Sequence, residues 1–408
     1  MPKFVFVNRF FHPDISATSQ ILFDLTTAVA SEGYDVLVIS SRVAYERNSH
    51  KFPSEDFFNN VHVKRVWSTN FGRRSSIGRL ADYASFYVFA LLALLRATRA
   101  RDVVIALTDP PLLSVGISLI AGLKNLFLIN WLQDLFPEVA ERLLPAGEHR
   151  HLFKALNSAR NYSLRRASTN VVIGSLMERE IRAQGIDHAT VIPNWTVGPR
   201  LLDGNHRAEA ETLKKKWGLD GKFVVGYSGN LGRAHDAETF LSAAKLLRAE
   251  SSIVLLFIGG GAKYDELQDA ATGNGLENME FMPYQPLESL GASLSVADVH
   301  LISLDPRMEG LIVPSKLYGV LAVSRPVIFV GDSSGEIGEI LSSYGCGVSV
   351  AQGESATLAA VVRGLADDPD GMSEMIKNAR KVSTTLYNRE NSLAAWMRVL
   401  ANPGMGYK

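Results

Sequence analysis

The sequence predicts an α/β protein built from two doubly wound domains. Short apolar runs, typical of strands buried on both faces of a parallel sheet, alternate along the chain with longer helical stretches. Polar or glycine-containing loops follow several of these runs, as expected at the carboxyl edge of such a sheet, where ligands bind. The chain has 408 residues, which exceeds one ordinary domain and indicates two or three.

The first domain is expected over residues 1–195. Phe4–Val7 predicts a buried strand, and a helix follows from about residue 19 to the residues before Gly33, which ends it. Further apolar runs predict strands at Val36–Ile39, Val61–Val66, Val103–Leu107, Leu126–Leu132, Asn170–Ile173 and Thr190–Ile192. Residues 46–60 are polar and are expected to form an irregular loop.

The second domain is expected over residues 196–385. Its first segment, 196–221, is polar and is expected to connect the two domains. Apolar runs predict strands at Phe223–Ser228, Ile253–Ile258, Glu280–Met282, Val299–Leu304 and Pro326–Val330. Helices are expected at Asp236–Leu247, Lys316–Ala322 and Glu354–Leu365. Residues 386–408 are expected to form a last helix that packs back on the first domain.

Composition indicates a globular protein with ample core, since 47% of the residues are hydrophobic and 21% are charged. The net charge is zero, which argues against a general nucleic-acid binder. Lys and Arg outnumber Asp and Glu by 23 to 17 in residues 1–200, whereas acids outnumber bases by 25 to 19 in residues 201–408, so the halves are expected to face different ligands or surfaces. The one cysteine, Cys346, and an N-terminus without a signal-peptide layout both favour a cytoplasmic location.

An apolar run at Tyr83–Leu95 is flanked by arginines. Its thirteen residues are too few to span a bilayer, which needs about 20. Between residues 73 and 101 the sequence has one acid, Asp82, and six arginines, namely Arg73, Arg74, Arg79, Arg96, Arg99 and Arg101. One interpretation is a helix that lies on an anionic membrane surface. The other is a core helix whose ends are solvated.

Two loops of the first domain carry candidate polar residues. The loop after the first strand lacks the G-x-G-x-x-G of dinucleotide-binding folds. It holds a run of small residues that would let a ligand approach closely, namely Ser16, Ala17, Thr18 and Ser19. The alternative role of this run is to cap the next helix. Gln133 and Asp134 follow another strand, and we expect Asp134 to contact a sugar or acceptor hydroxyl or, alternatively, to cap the helix near Pro137.

Residues 308–339 carry the strongest indication of an anion site. Pro314 and Ser315 precede a predicted helix that Ser315 is expected to cap, and Lys316 enters its first turn. A lysine is disfavoured there by the helix dipole, so its placement points to a bound anion such as a diphosphate. Residues suited to a sugar or ribose follow the next strand, namely Gly335, Glu336 and Glu339. The alternative is an ordinary strand and helix with a cap.

A series of short motifs runs through the chain in a fixed order. The motifs are FHPDISATSQ, WLQDLFPE, VIPNW, YSGNLGRAH, IGGG, PSKLYGVLA, RPVI and GEIGEIL, within residues 10–342. This order resembles family 4 of the retaining glycosyltransferases, which have the GT-B fold. Within the family, the sequence is similar to bacterial enzymes that build surface polysaccharides, such as fucosamine and colanic-acid transferases. The resemblance implies two Rossmann-like domains that face each other across a cleft, with the donor on the second.

The resemblance also implies roles for single residues. Arg233 matches the family's arginine that holds the donor diphosphate. The family's lysine falls on Glu238, so Lys316 is the expected substitute, and the side chains of Arg233 and Lys316 are expected to converge on one diphosphate. With Asp134 they form the expected catalytic set. The other donor contacts are expected from Gly229, Asn230, Gly260, Tyr284, Ser315, Gly335, Glu336 and Glu339.

Besides the missing lysine, the sequence departs from the family's pattern at several places, and its N-terminal loop at residues 16–19 lacks the family's glycine. A histidine common in the family falls on Gln133, which is expected on the acceptor side together with the run of small residues at 16–19. The family's two glutamates fall on Leu311 and Gly319, neither of which is acidic. Glu309 lies two residues before the first of these positions.

The resemblance therefore implies a hexosyltransferase-type enzyme of surface polysaccharide biosynthesis. It would move a sugar with retention from a nucleoside-diphosphate sugar, with UDP favoured, to a lipid-linked saccharide. Fixed positive charges of the protein beside the diphosphate would make a metal unnecessary, and no cofactor is expected. The expected partners also include the anionic inner face of the cell membrane. A nucleotide-sugar 2-epimerase of the same fold and a nucleotide-sugar-binding protein without catalysis remain alternatives.

Overall fold

The chain forms two compact units in the computed structural model, which describes residues 2–14, 16–44, 51–72, 76–144, 149–196, 206–232 and 234–404. The N unit comprises Met1–Val197, Gly310–Ile312 and Arg389–Lys408. The C unit comprises Gly198–Glu309 and Val313–Asn388. Each unit is a twisted, largely parallel sheet with helices, which confirms the predicted fold class.

The sheet of the N unit has eight strands within the described residues. They are β1 (Phe4–Val7), β2 (Val36–Ser41), β3 (Glu55–Phe58), β4 (Val61–Val66), β5 (Val103–Leu107), β6 (Phe127–Leu132), β7 (Thr169–Val172) and β8 (Ala189–Val191), in the spatial order β3-β4-β2-β1-β5-β6-β7-β8. Neighbouring strands are parallel except β3 and β4. Strands β1, β2 and β5 are buried along their whole length, because helices cover both faces of the sheet.

Helices pack on both faces of this sheet. They are α1 (Ala17–Ser31), α2 (Ser76–Ala97), α3 (Leu113–Lys124), α4 (Glu138–Leu143), α5 (Arg150–Arg166), α6 (Ser175–Arg182) and, near the end of the chain, α15 (Arg389–Ala401). Side chains of β1 alternate between the faces, as strand geometry requires. Phe4 and Phe6 pack in one core with residues of α1 and α15, whereas Val5 and Val7 pack in another with residues of α2 and α3.

Helix α15 belongs to the core of the N unit. Trp396 is fully buried, and its ring centroid lies 4.7 Å from that of Trp131 on β6. Arg389 pairs with Asp24 of α1, with 2.6 Å between Nε and Oδ2. The indole of Trp195 donates to the same carboxylate at 2.8 Å. Because these contacts join residues far apart in sequence, they close the N unit around its sheet.

The C unit has a six-stranded parallel sheet. Its strands are β9 (Phe223–Asn230), β10 (Ile253–Gly260), β11 (Met279–Met282), β12 (Val299–Ser303), β13 (Val327–Val330) and β14 (Gly347–Val350), in the order β11-β10-β9-β12-β13-β14. Its helices are α7 (His206–Lys216), α8 (Glu238–Leu246), α9 (Tyr264–Gly273), α10 (Leu290–Ser295), α11 (Lys316–Ala322), α12 (Glu336–Tyr344), α13 (Ser355–Asp367) and α14 (Pro369–Thr385). Since all strands are parallel, every loop that leaves a strand's carboxyl end opens at one edge.

Three expectations about secondary structure were wrong. Part of the predicted irregular loop 46–60 is strand β3, which pairs with β4 through a turn at Asn59 and Asn60, both with positive φ. The polar connection 196–221 contains helix α7, whose Ala210 packs in the core of the C unit. The run Tyr83–Leu95 is part of the longer helix α2, because Arg79 and Asp82 lie inside its first turns rather than before it.

Candidate active site

The glycines that end β9 and β10, together with Gly261 directly after β10, pack tightly against the facing backbone at the carboxyl edge of the C unit. Gly259 and Gly261 have φ values of +141° and +130°, which favour glycine. A Cβ on Gly259 would lie 2.3 Å from the carbonyl oxygen of Gly229, and one on Gly261 would lie 2.5 Å from Oδ1 of Asn230. Only glycine fits at these positions, so the edge presents backbone groups without side chains.

Lys316 begins α11 and reaches back to strand β9. Its ammonium lies 3.8 Å from the centroid of the Tyr227 ring, donates to the Tyr227 hydroxyl, and donates to the Asn230 carbonyl at 3.4 Å. The Lys316 Cε atom is 4.0 Å from where a Gly229 side chain would begin. Burial lowers the pKa of Lys316 to about 7. The surroundings therefore solvate the ammonium form of this side chain poorly, and an anion beside it would favour that form.

Ser315 does not cap α11 with its side chain, which corrects the expected role. The helix begins instead with backbone bonds from Leu317 to Pro314 and from Tyr318 to Ser315. Ser315 is exposed. Its position beside Lys316 keeps it available as a donor contact, and that role stays a prediction.

Two further titratable residues lie at this edge and were not singled out from sequence. The imidazole Nδ1 of His235 donates to the Ser303 carbonyl at 2.5 Å, and Lys263 donates to the backbone carbonyl of His235. Burial, together with the charges of Lys316 and Lys263, lowers the pKa of His235 to about 3. His235 is therefore neutral at physiological pH. The YSGNLGRAH motif contained this histidine, but nothing in its spacing indicated a neutral ring.

The carboxylate of Glu309 lies against the N-terminus of helix α12. Its Oε2 accepts a hydrogen bond from the Glu336 N–H at 3.2 Å, and Oε1 is buried without a hydrogen-bond partner. A Cβ on Gly335 would lie 2.3 Å from the Glu309 carboxyl carbon, so a larger residue there would displace this carboxylate. Burial raises the pKa of Glu309 to about 7, and the charges of Asp332 and Glu336 add to the effect. The fold thus places an acid beside Gly335 and Glu336, two predicted donor contacts.

The remaining predicted contacts to the nucleotide-sugar donor include two exposed side chains, those of Tyr284 and Glu339. The ring of Tyr284 lies over Gly260, because a Cβ there would be 3.2 Å from the tyrosine Cε2. Tyr284 is 56% exposed, which leaves ring surface for a flat ligand to stack on. Glu339 is exposed on the first turn of α12.

Arg233 lies outside the described residues, so its convergence with Lys316 stays a prediction. The same holds for its alternative ion pair with Asp236 or Glu238. Asp236 itself accepts hydrogen bonds from the backbone and hydroxyl of Thr239, which fixes the start of α8. The loop on either side of Arg233 therefore follows β9 and is anchored at its far end.

Asp134 follows β6 in the N unit and is not a helix cap. Helix α4 has Pro137 at its N-cap position, so the capping alternative was wrong. Burial raises the pKa of Asp134 to about 6, opposed by a hydrogen bond with Thr108. Its Oδ1 is buried and has no hydrogen-bond partner. Its backbone forms an isolated bridge with Ile312. Residues 310–312 are uncharged, so their side chains cannot neutralise the carboxylate.

The other predicted acceptor-side residues have structural partners. The Gln133 amide exchanges hydrogen bonds with Asn194 at 2.7 and 3.2 Å. Ser16 caps α1, since its Oγ accepts from the Ser19 N–H at 3.3 Å, and Ser19 Oγ donates to the Asp14 carbonyl. The run Ser16, Ala17, Thr18 and Ser19 thus forms a helix start, as its alternative stated, and its acceptor role stays a prediction.

Two family models match the chain. The model described as Glycosyl transferases group 1 matches residues 209–382, and the model described as Glycosyl transferase 4-like domain matches residues 18–195. The first match contains β9 to β14 with the glycine loops and Lys316. The second contains Asp134 and most of the N unit.

Three proteins illustrate the similarity. WbjE of Pseudomonas aeruginosa, named as a glycosyltransferase, is 28% identical over 291 residues, which are 69% of this chain and 70% of that protein. WcaI of Escherichia coli K12, named for a colanic acid biosynthesis glycosyl transferase, is 25% identical over 372 residues, which are 87% and 89% of the two chains. HepE of Anabaena, solved with UDP-glucose, shares the fold with a TM-score of 0.71 at 16% identity, over 98% of this chain and 100% of that one.

Proposed function

Since the chain belongs to the group 1 glycosyl transferases and has the GT-B fold, we propose that it moves a sugar from a nucleoside-diphosphate sugar to a lipid-linked saccharide. We further propose that the anomeric configuration is retained and that the product enters a bacterial surface polysaccharide. The observation that carries the donor assignment is the ammonium of Lys316, which lies against the Tyr227 ring at the glycine-lined edge of the C unit.

A diphosphate is the ligand that this edge is suited to bind. Burial without a counter-charge makes the ammonium of Lys316 costly, and an anion beside it would remove that cost. The glycine loops at Gly259 and Gly261 let phosphate oxygens approach backbone groups closely. Neutral His235 adds no further positive charge, although Lys263 stands next to it. Arg233 in the same loop would complete the phosphate contacts with a bidentate pair.

Transfer needs stabilisation of the leaving diphosphate more than covalent help from the protein. The bond from the anomeric carbon to the diphosphate oxygen breaks while a bond to the acceptor oxygen forms on the same face. The proton of the acceptor hydroxyl passes to the departing phosphate. Lys316 stabilises the negative charge as it grows, and no metal ion is required for this step. Among the described residues no cluster of three or more His, Cys, Asp or Glu suits a metal.

The nucleoside is assigned to Tyr284 and the sugar to Glu309. The exposed ring of Tyr284 over Gly260 offers a stacking surface for a base, and the complex of HepE with UDP-glucose supports uracil as that base. The unpartnered Oε1 of Glu309 can accept a hydrogen bond from a sugar hydroxyl. Glu336 and Glu339 remain candidates for the ribose or sugar.

Asp134 is the N-unit residue best suited to contact the acceptor. A carboxylate with a pKa of about 6 is charged at neutral pH, and its unpartnered Oδ1 is costly to leave unsatisfied. An acceptor hydroxyl would satisfy it and would be oriented for attack. The similarity to WcaI, named for colanic acid biosynthesis, supports a role in surface polysaccharide synthesis, and a lipid-linked acceptor implies work at the inner face of the cell membrane.

The proposal is tested with radiolabelled nucleotide sugars and lipid extracts from polysaccharide-producing cells. We expect label to enter the lipid fraction with the wild-type protein and with Lys245→Ala, an exposed lysine of α8, but about a hundredfold more slowly with Lys316→Ala. The anomeric configuration of the product is read by NMR, and inversion would contradict retention.

Two other outcomes would replace the proposed transfer. Conversion of free nucleotide sugar to its 2-epimer without an acceptor would identify an epimerase. Binding of UDP with no turnover of any donor would identify a binding protein, the alternative that the missing family glutamates had kept open.

A further inference from the structure

Helix α2 presents an apolar stripe outward along its length. The helix packs its inner side into the core of the N unit, where Phe86 and Leu94 are fully buried. Its opposite side is exposed at five large apolar positions spaced by three, four or eight residues, namely Ile77, Leu80, Val88, Leu92 and Leu95. Eighteen residues of α-helix extend roughly 27 Å. An exposed apolar surface of that extent marks a site of interaction in a folded protein.

Helix α3 extends this surface. The side chain of Leu91 lies against Gly116, where a Cβ would meet it at 2.6 Å. Leu119 and Leu123 follow Gly116 on the same side of α3 and are 58% and 80% exposed. At the ends of the two helices, Lys124 donates to the Leu95 carbonyl at 2.6 Å, which keeps them together. We call the stripe of α2 together with Leu119 and Leu123 the apolar face.

Aromatic rings stand close to α2. Trp67 is 49% exposed, and its ring centroid lies 5.4 Å from that of Phe89 on α2. Phe71 is also exposed. Tryptophan with one apolar and one polar side is favoured at the boundary between hydrocarbon and lipid headgroups.

The charged side chains exposed on and beside α2 are arginines, whereas the acids of this region are buried. Arginines are exposed at four described positions, namely Arg79, Arg96, Arg99 and Arg101. Asp82 is buried, accepts the backbone N–H groups of Phe71 and Gly72, and pairs with Arg9. Asp102 is also buried and accepts the backbone N–H groups of Lys3 and Arg99. Both acids of this region therefore bond inward, and the surface charge is positive.

We propose that the apolar face binds an anionic lipid bilayer, with α2 lying in the plane of the membrane interface. The apolar stripe, the neighbouring tryptophan and the exposed arginines match the composition of interfacial helices. By length and composition the stretch Ile77–Ala97 of α2 could also span a membrane, although 28% of its apolar part is buried in the protein. Spanning would expose Phe86 and Leu94 and dismantle the core they fill, so the helix inserts by one side. The proposal deepens the proposed function, whose lipid-linked acceptor lies in such a membrane.

The face is tested by sedimentation with vesicles of phosphatidylcholine alone or with phosphatidylglycerol. Wild-type protein is expected to sediment with the anionic vesicles and to be released by salt. Leu80→Glu/Val88→Glu should lower the partition coefficient at least tenfold, and Arg96→Glu/Arg99→Glu about fivefold or more per residue. Leu246→Glu, at a similarly exposed leucine of α8, is the matched control and should bind as wild type.

A second readout locates the contact. Brominated lipids should quench the fluorescence of Trp67, and Trp67→Phe should remove that quenching, since Trp131, Trp195 and Trp396 are buried and the half-buried Trp217 belongs to the C unit, outside the apolar face. Failure of wild-type protein to bind either vesicle, or unchanged binding by both double variants, would overturn the proposal. A dimer in solution that Leu80→Glu/Val88→Glu converts to monomer, without vesicle binding, would assign the face to a second copy instead.

The vesicle assay contains no sugar donor, so its outcome is independent of catalysis. Protein that glycosylates a detergent-solubilised acceptor but ignores vesicles would overturn the membrane face and leave the proposed function intact. Protein that binds anionic vesicles through the apolar face but transfers no sugar would support the membrane face and overturn the proposed function.

Discussion

The affinity for a nucleoside diphosphate should fall as pH rises above neutrality, because of Lys316. Burial lowers the pKa of Lys316 from 10.5 to about 7 in the ligand-free protein, so above that pH the side chain is increasingly neutral. A diphosphate beside it favours the ammonium and raises the pKa again. Binding above pH 7 therefore takes up a proton, and the dissociation constant should rise about tenfold per pH unit until the pKa of the complex is reached.

The measurement is isothermal titration calorimetry with UDP between pH 6 and about 9, in buffers of different ionisation enthalpy that report the proton uptake. Lys316→Ala should bind more weakly at pH 6 and show no rise between about pH 7 and 9. Lys245→Ala should follow the wild-type curve, because Lys245 is exposed on α8. A flat wild-type curve, or a Lys316→Ala curve with the wild-type slope, would refute the assignment of Lys316 to the diphosphate.

The same shift of pKa has a consequence for stability with a definite sign. Between about pH 7 and 10.5 the unfolded chain carries the Lys316 proton and the ligand-free folded chain does not. The unfolded state then binds more protons, so the contribution of Lys316 to the free energy of unfolding increases with pH through this window. Saturating UDP should remove that increase. Chemical denaturation at several pH values, for wild type and Lys316→Ala, measures both effects.

Three further predictions concern other residues. Arg233→Ala, like Lys316→Ala, should lower kcat about a hundredfold with a smaller effect on KM, because charge grows on the diphosphate in the transition state; steady-state kinetics would contradict this if only KM changed. Asp134→Asn should lower turnover and abolish the loss of activity of wild type below about pH 6, whereas wild-type turnover in this variant would exclude Asp134 from the reaction. Trp396→Ala should reduce the free energy of unfolding by about 3–5 kcal/mol, and denaturation near the wild-type midpoint would show that α15 contributes little to the core.

The strands that the sequence predicted well are those buried on both faces. β1, β5 and β10 are continuous apolar runs because helices cover both sides of them, and such runs are visible without any partner. Strand β3 has the sequence EDFF and lies at the edge of its sheet with alternately exposed side chains. Its pairing with β4 is supported by an ion pair between Asp56 of β3 and Arg65 of β4. This partner cannot be recognised from the sequence of β3 alone. An edge strand of this kind carries no apolar run that the sequence could display.

The candidate site was predictable in position but not in chemistry. The sequence placed Lys316 at the start of a helix at this edge. Its pKa is lowered by burial, however, and that burial includes packing against Tyr227, which is 89 residues away in sequence. The capping alternative for Asp134 failed for a similar reason. Capping ability is a local property of aspartate, whereas the burial that raises its pKa is supplied by the fold around Thr108 and residues 310–312.

Glu309 shows how the fold can supply an acid that the sequence pattern lacks. Counted along the chain, it misses the first family glutamate position by two residues, and Leu311 at that position is buried and bonds its carbonyl to the N–H of Leu135. The segment 310–312 belongs to the N unit, so the chain leaves the C unit directly after Glu309. The last side chain before that departure, Glu309, lies against Gly335, and a larger residue there would displace its carboxylate. An acid two residues early can therefore stand beside the predicted sugar contacts, and Glu309→Gln should weaken donor binding while leaving the hydrogen bond to the Glu336 N–H possible.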